Sequence, residues 1–305
     1  MAIVKFVEVC EKIGSGATPR GGKEAYSDEG ISLVRSQNVL DFSFSSDGLV
    51  HINDEQAKKL KNVELHPDDV LLNITGDSVA RACIMDSSFL PARVNQHVAI
   101  VRGKKELVLN SYILYYLQWK KDYLLQLASA GATRNALTKG MIEQLDINLP
   151  SLTEQKRIVA VLDSIQQKIS VNKKINDNLQ QQAAAIFRSW FVDCAPFGGK
   201  APDEWENVTL EDITALVSRG ITPKYADDTD QIVINQKCIR NHTIDLSLAR
   251  THTPKIINEK WLRFGDLLIN STGDGTLGRA AQVWFQPKNL TVDSHVTIAD
   301  RQKKT

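Results

Sequence analysis

Apolar positions along the chain follow two rhythms. Runs such as "DVLLNIT" (Asp69 to Thr75) and "DLLINST" (Asp266 to Thr272) are short and end at Gly-Asp, which predicts strands running into turns. "HVAIV" and "HVTIA", starting at His97 and His295, alternate as later strands do. In "NSYILYYLQWKKDYLLQLAS" (Asn110 to Ser129) the apolar residues instead recur at helical spacing, with Asn110 or Ser111 placed to cap the helix. A Gly- and Thr-rich loop, "GATRNALTKG", and the segment "DINLP" follow. The expected fold is mixed α/β.

The second rhythm is longer. Pro150 ends whatever precedes it, and Ser151 with Glu154 forms an S-x-x-E capping box. Seam positions then alternate by four and three: Ile158, Leu162, Ile165, Ile169, Asn172, Asn176, Leu179, Ala183, Ile186 and Trp190. That 3.5-residue period marks a helix packed along a partner helix. At 1.5 Å per residue, about 37 residues span roughly 55 Å, too long to bury the stripe against one globular unit. Asn172 and Asn176 stand mid-seam. They either set register by bonding across the interface or sit in water where the helices splay.

The strand patterns belong to an internal repeat. "DDVLLNITGDSVARACIM" (Asp68 to Met85) aligns with "GDLLINSTGDGTLGRAAQV" (Gly265 to Val283). Asp69 falls on Asp266, Asn73 on Asn270 and Thr75-Gly76-Asp77 on Thr272-Gly273-Asp274; one inserted residue later, Arg81 falls on Arg279. "NQHVAIV" then matches "DSHVTIA", placing His97 on His295. Upstream, "GATPR" (Gly16 to Arg20) pairs with "GITPK" (Gly220 to Lys224), and "VRSQNV" lies opposite "INQKCI". Order and spacing hold over about a hundred residues, so two copies of one domain are expected. The boundaries are 1–150 for the first copy, 151–195 for the helix and 196–305 for the second.

Composition narrows the function classes. A net charge of +1 argues against gripping nucleic acid by bulk charge, while leaving room for a local basic surface. No apolar run reaches the roughly 18 residues of a membrane span. The N-terminus carries Glu8 and Glu11 and does not read as a signal peptide, which points to a cytoplasmic protein. Cys10, Cys83, Cys194 and Cys238 are scattered, suiting reduced thiols better than disulfides or a metal site.

The order of these parts, with "LPSLTEQKRIVAVLDSI" entering the helix, "IFRSWFVD" closing it and "APDEWENVTLEDI" opening the second copy, resembles the DNA-specificity subunit of type I restriction–modification systems. The resemblance extends over essentially the whole chain. It implies that each copy is a target-recognition domain reading one half of a split site in double-stranded DNA. It implies that the helix packs antiparallel to a second such helix, sets the gap between half-sites and docks methyltransferase subunits that modify adenine. Restriction subunits, which translocate and cut, would join them. No cofactor is implied for this subunit; S-adenosylmethionine, ATP and magnesium would belong to its partners. By the first copy's spacing, roughly ninety further residues of the repeat are expected beyond Thr305, including a second long helix. The second recognition domain is therefore expected to be incomplete, and the exposed seam to drive homodimer formation or partner binding.

Base reading favours Arg toward guanine and Asn or Gln toward adenine, with Lys, Arg, Ser and Thr on phosphates. In the first copy such groups stand at Thr18, Arg20, Lys23, Arg35, Gln37, Asn38, Arg81, Asn95, Thr133, Arg134, Asn135 and Lys139. The second offers Lys224, Gln236, Lys237 and Arg279, with His97 and His295 as further repeated positions. Residues common to both copies suit scaffold or phosphate, because domains reading different half-sites should differ where they touch bases. Arg35, Gln37 and Asn38 are accordingly the stronger base-reading candidates. Two rival readings stand beside this one. The first is an S-adenosylmethionine-dependent DNA methyltransferase using Gly273, Gly275 and Gly278 as G-x-G-x-x-G, with Asp293 at the range expected of a dinucleotide fold. Against it, the first copy lacks the later glycines. A coiled-coil interaction protein would explain the helix but not the two copies.

Overall fold

The computed structural model describes residues 2–19, 21, 26–129, 136–255 and 257–300. The chain divides into two compact units, Met1–Ala184 and Ala185–Thr305, so the division falls inside the long helix rather than at its ends.

The first unit opens with β1 (Ala2–Lys5), a short α1 (Phe6–Val9) and β2 (Cys10–Ser15). There follow β3 (Ile31–Val34), β4 (Val50–Ile52), α2 (Asp54–Lys59), β5 (Val70–Asn73), β6 (Ala82–Ile84), β7 (Ala92–Val94) and β8 (Val98–Gly103). Helices α3 (Asn110–Trp119), α4 (Lys121–Ser129) and α5 (Lys139–Glu143) lead to β9 (Asp146–Leu149), which pairs antiparallel with β1. One sheet has the order β2-β8-β5-β6 and the other the order β4-β3-β7, with β3 and β7 parallel. β5 is buried at all four positions because both its faces are covered. Val70 and Leu72 pack with Ile113, Leu117 and Leu124 of the helices, while Leu71 packs with Leu33, Val94 and Ile100 toward the smaller sheet.

Helix α6 (Leu152–Phe187) follows β9, and its last turns pass into π geometry over Arg188–Val192. The second unit then repeats the first after α7 (Leu210–Ile213). Its strands are β10 (Val217–Arg219), β11 (Ile232–Ile234), β12 (Ile239–Arg240), β13 (Thr243–Ile244), β14 (Arg250–Thr251), β15 (Leu267–Asn270), β16 (Ala280–Gln282), β17 (Leu290–Val292) and β18 (Val296–Ala299). The larger sheet runs β10-β18-β15-β16 and the smaller β14-β11-β17, again with one parallel pair, so both main sheets of the first unit are reproduced. The β1–β9 pair has no counterpart among the described residues, and β12–β13 forms an added two-stranded ladder.

Three local expectations are corrected. The segment from Asn110 is two helices, not one: Lys120 takes ψ 10°. The bend lets α4 bury Leu124 and Ala128 in the core that already holds Ile113 and Leu117. Neither Asn110 nor Ser111 caps α3; Leu109 holds that place, and Asn110 Oδ1 instead accepts from the Gly103 N–H at 2.8 Å, tying β8 to the helix. The capping box of α6 is half formed, with the Glu154 N–H donating to Ser151 Oγ while the Glu154 carboxylate turns to Arg157.

A buried charge arrangement differs between the copies. Asp69, fully buried, receives Arg102 Nε on Oδ1 and Nη2 on Oδ2, both at 2.6 Å. In the second unit the register puts Asp300 where Arg102 stands, since Val70 pairs with Val101 and Leu267 with Ala299. The cation comes instead from Arg263, at the place of His66, whose Nη1 lies 3.1 Å from Asp300. Burial, with Asp300 beside it, pushes the Asp266 carboxyl up to about 6. Removing Asp69 leaves the buried guanidinium with only Glu11 at 3.6 Å and the Glu64 carbonyl, so Asp69→Ala should lower the unfolding free energy by about 3 kcal/mol in denaturant melts. For Asp266 the folded state holds the proton more tightly than the unfolded chain does. Its contribution is therefore present below about pH 4 and lost as pH rises through about 6. Asp266→Asn should flatten that loss in melts compared at pH 4 and pH 7.

Candidate nucleic-acid interface

In each unit the central strand ends in a turn that folds straight back on it. The Ala80 N–H donates to Asn73 O at 2.9 Å and the Asn73 N–H to Arg81 O at 2.8 Å. The Gly278 N–H donates to Asn270 O and the Asn270 N–H to Arg279 O, both at 2.9 Å. Ala80 and Gly278 occupy the same left-handed position, with φ of 66° and 79°. Gly278 is thus the easier residue for a turn that Ala80 also makes. The chain leaves Gly278 into strand β16, antiparallel to β15, and not into a helix. A dinucleotide loop needs a helix N-terminus there to meet the phosphates, so the G-x-G-x-x-G pattern is a hairpin turn.

The "G-x-T-P" segments approach from the other side. A Cβ on Gly16 would lie 1.9 Å from Val94 O, and one on Gly220 2.0 Å from Val292 O. Only glycine lets that backbone pass so close. In both units a threonine of the turn meets the histidine that opens the last strand: Thr75 Oγ1 and His97 Nδ1 are 2.6 Å apart, as are Thr272 Oγ1 and His295 Nδ1. The histidine N–H is held by Asn95 Oδ1 in one unit and Asp293 Oδ1 in the other. Both histidines are satisfied, yet neither is a core residue: His97 is half-buried and His295 exposed.

In the first unit these parts line an open hollow of about 460 Å³ formed by Ser36, Gln37, Thr75, Gly76, Asp77, Ser78, Arg81 and His97. Four sequence segments expected to carry chemistry therefore share one surface. Arg81 and Asp77 have no hydrogen bond or ion pair through their side chains among the described residues, leaving one free cation and one free carboxylate there. Those groups, with the Oε1 of the exposed Gln37, whose Nε2 is held by the Asp47 and Gly48 carbonyls, suit base edges and phosphates.

The remaining candidates divide by what already holds them. Asn38 is fully buried: its Oδ1 accepts from the Arg35 N–H, and its Nδ2 donates to Ser45 O and Asp47 O. Asn95 is buried on His97 N–H. Asn38 thus holds a loop in place rather than presenting an edge to a ligand, and the Asn95 Oδ1 is spent on the strand that follows. Arg35 donates Nη2 to Gly48 O at 2.5 Å and lies over the Tyr26 ring. Gln37 stays exposed, with Nε2 on Asp47 O and Gly48 O. Thr18 hydrogen-bonds Gln96, which in turn meets His97, a link that sequence reasoning passed over. Lys139 pairs with Glu143. In the second unit Lys224 and Lys237 are exposed, Gln236 is half-buried beside Thr276, and Arg279 donates to Gly275 O at 2.6 Å. Arg20, Lys23, Thr133, Arg134 and Asn135 lie outside the described residues. The end of the last loop is nonetheless anchored to the turn, through the Thr75–Ala136 bridge and the Leu137 N–H on Ile74 O.

Along α6, the start of the expected seam packs on the first unit. Ile158 and Leu162 are half-buried, Val159 is buried, and Gln155 is fully buried with bonds to Leu107, Leu109 and Pro150. From there the seam is open: Ile165, Ile169, Leu179 and Ile186 are each at least half exposed, and Asn172, Asn176 and Ala183 are exposed too. Trp190 leaves the seam, because the π turn redirects it against Phe197.

Other chemistry is sparse. Among the described residues no group of three His, Cys, Asp or Glu side chains could hold a metal, and no helix is long and apolar enough to cross a membrane. The four cysteines are free and buried, and burial pushes the Cys10 and Cys83 thiols up to about 12.

Residues 1–181 match the type I restriction modification DNA specificity domain. The chain belongs to that family. It is 24% identical over 323 aligned positions to the type I restriction enzyme MjaIX specificity subunit of Methanocaldococcus jannaschii, covering 97% of this chain and 72% of that one. It is also 24% identical to the HindI specificity subunit of Haemophilus influenzae, over 65% of this chain and 43% of the relative. The crystal structure of a type I restriction-modification S subunit from M. genitalium shares the fold, with a TM-score of 0.54 at 12% identity, covering 97% of this chain and 71% of its own.

The placement of Asn38 and Gln37 can be told apart in solution. Asn38→Ala removes a fully buried side chain and three part-buried hydrogen bonds and should cost about 1–3 kcal/mol in a thermal or denaturant melt. Gln37→Ala, at an exposed position, should stay within about 0.5 kcal/mol of the parent.

Proposed function

We propose that this chain is the DNA-reading specificity subunit of a type I restriction–modification complex and itself performs no catalysis. Each unit reads one half of a split double-stranded site with the surface around its strand-end turn. The observation that carries the reading is the repetition of one polar arrangement, Thr with His at the strand-end turn, in two units whose surrounding loops differ. A repeated frame with divergent loops is what two readers of different half-sites require. Methyl transfer, and the S-adenosylmethionine it consumes, falls to methyltransferase subunits, and cleavage to restriction subunits. The open stripe of α6 from Ile165 to Ile186 supports association with another long helix, and a second copy of this chain supplies one.

Co-expression with the methyltransferase subunit of the same system, followed by methylation sequencing, should reveal a bipartite motif methylated on adenine. Absence of such a motif with folded protein present would overturn the reading. Arg81 recurs as Arg279 and is assigned to phosphate, so Arg81→Ala should weaken binding evenly across sequences and lower the salt-dependence slope by about 1. Loss of discrimination at a single base pair would place it on a base instead. For the helix, light scattering at micromolar concentration should give a dimer mass, and Ile169→Asp with Leu179→Asp should return it to a monomer. A monomeric parent chain would sink that part of the proposal.

A further inference from the structure

In each unit the 3-10 turn Ser36–Asn38 or Gln236–Cys238, here the reading turn, is held to the central strand by a buried asparagine side chain. Asn73 is the last residue of β5 and is fully buried. Its Nδ2 donates to Ser36 O at 2.9 Å and to Val39 O at 3.3 Å, the carbonyls that bracket the 3-10 turn carrying Gln37. Asn270 ends β15, is equally buried, and donates Nδ2 to Gln236 O at 3.0 Å, inside the turn carrying Lys237. In both units the amide oxygen, Oδ1, has no hydrogen-bond partner among the described residues. A buried amide that satisfies only half of itself is a poor choice for core stability alone, where an apolar side chain would bury without that cost. What the amide supplies is a donor group aimed at a loop whose own pairing, the Val39–Phe44 bridge or the β12–β13 ladder, lies beyond the turn and does not tie it to the central strand.

Through the same residue the backbone also closes the strand-end turn, since Asn73 N and O meet Arg81 O and Ala80 N. One residue therefore sets the distance between the two loops that meet at the hollow. The side chains at 37 and 237 differ, Gln against Lys, while the bolt beneath them does not. Resting on the specificity-subunit reading, we propose that Asn73 and Asn270 are positioning residues for DNA specificity, each holding the reading turn of its own unit in register with that unit's strand-end turn.

The test uses the full chain co-expressed with its methyltransferase subunit, read by genome-wide adenine-methylation sequencing and by thermal melting. The parent chain must first yield a bipartite motif; if it does not, the specificity-subunit reading fails before this inference is reached. With the motif in hand, Asn73→Ala should reduce discrimination about tenfold at one or more positions of one half, leaving the other half intact. Asn270→Ala should do the same to the opposite half. Asn73→Asp, which keeps the shape and removes both donors, should reproduce the half-restricted effect. Asn73→Gln and Asn270→Gln, which keep the donors but overreach by a methylene, serve as graded variants and should relax the same half more weakly. Uniform loss of methylation at an unchanged motif, or relaxation of the same half by both alanine variants, overturns the proposal. Failure of both the Ala and the Asp variants to fold assigns the amide to the core alone and overturns it equally.

Discussion

Each unit depends on a close return of the chain onto the end of its central strand. β5 and β15 are covered by neighbours along their length, so the turn after them cannot drift, and everything at the hollow is placed relative to it. The Thr–His contact, the 3-10 turn and the glycine passage at Gly16 or Gly220 all close on that point. Short loops can then carry recognition chemistry without a ligand to order them, because rigid strands supply the frame.

The duplicated fold tolerates divergence where a local exchange compensates. Asp69 and Arg102 form a two-pronged buried pair, whereas the second unit places Asp300 opposite Asp266 and brings the cation in from Arg263. Total charge in this corner changes, and the penalty appears as a carboxyl that holds its proton to about pH 6. The backbone is unaffected, since His66 and Arg263 both donate their N–H to the same aspartate oxygen. Geometry is retained while the electrostatics are rearranged.

Much of the fold was legible because its signals are local or repeated. Strands at "DVLLNIT" and "DLLINST", the capped helix from Leu152 and the correspondence of His97 with His295 all follow from periodicity and alignment. The candidate site was legible only as a set of segments. Asn38 and Asn95 carry the right chemistry for adenine, but the Asn38 amide is consumed by nearby backbone and the Asn95 Oδ1 by the His97 N–H, and no pattern of residue types reveals which backbone groups lie within hydrogen-bond reach. Arg35 is similar: Gly48, thirteen positions away, takes its guanidinium. The break at Lys120 and the departure of Trp190 from the seam were missed for a related reason. Helical periodicity does not report where a core or an aromatic neighbour bends the axis.

The sequence by itself determined that the chain holds two copies of one mixed α/β unit joined by a long amphipathic helix, because repeats and hydrophobic periods are properties of residue order. It also settled that the glycine pattern is not needed by the fold, since the first copy does without it. Only the tertiary structure decided which polar side chains face outward and which are spent holding loops. It alone brought Gln37, Asp77, Arg81 and His97 around one hollow and put Asn73 beneath them. Hydrogen-bond partners far apart in sequence are chosen by strand pairing, and that choice is made in three dimensions.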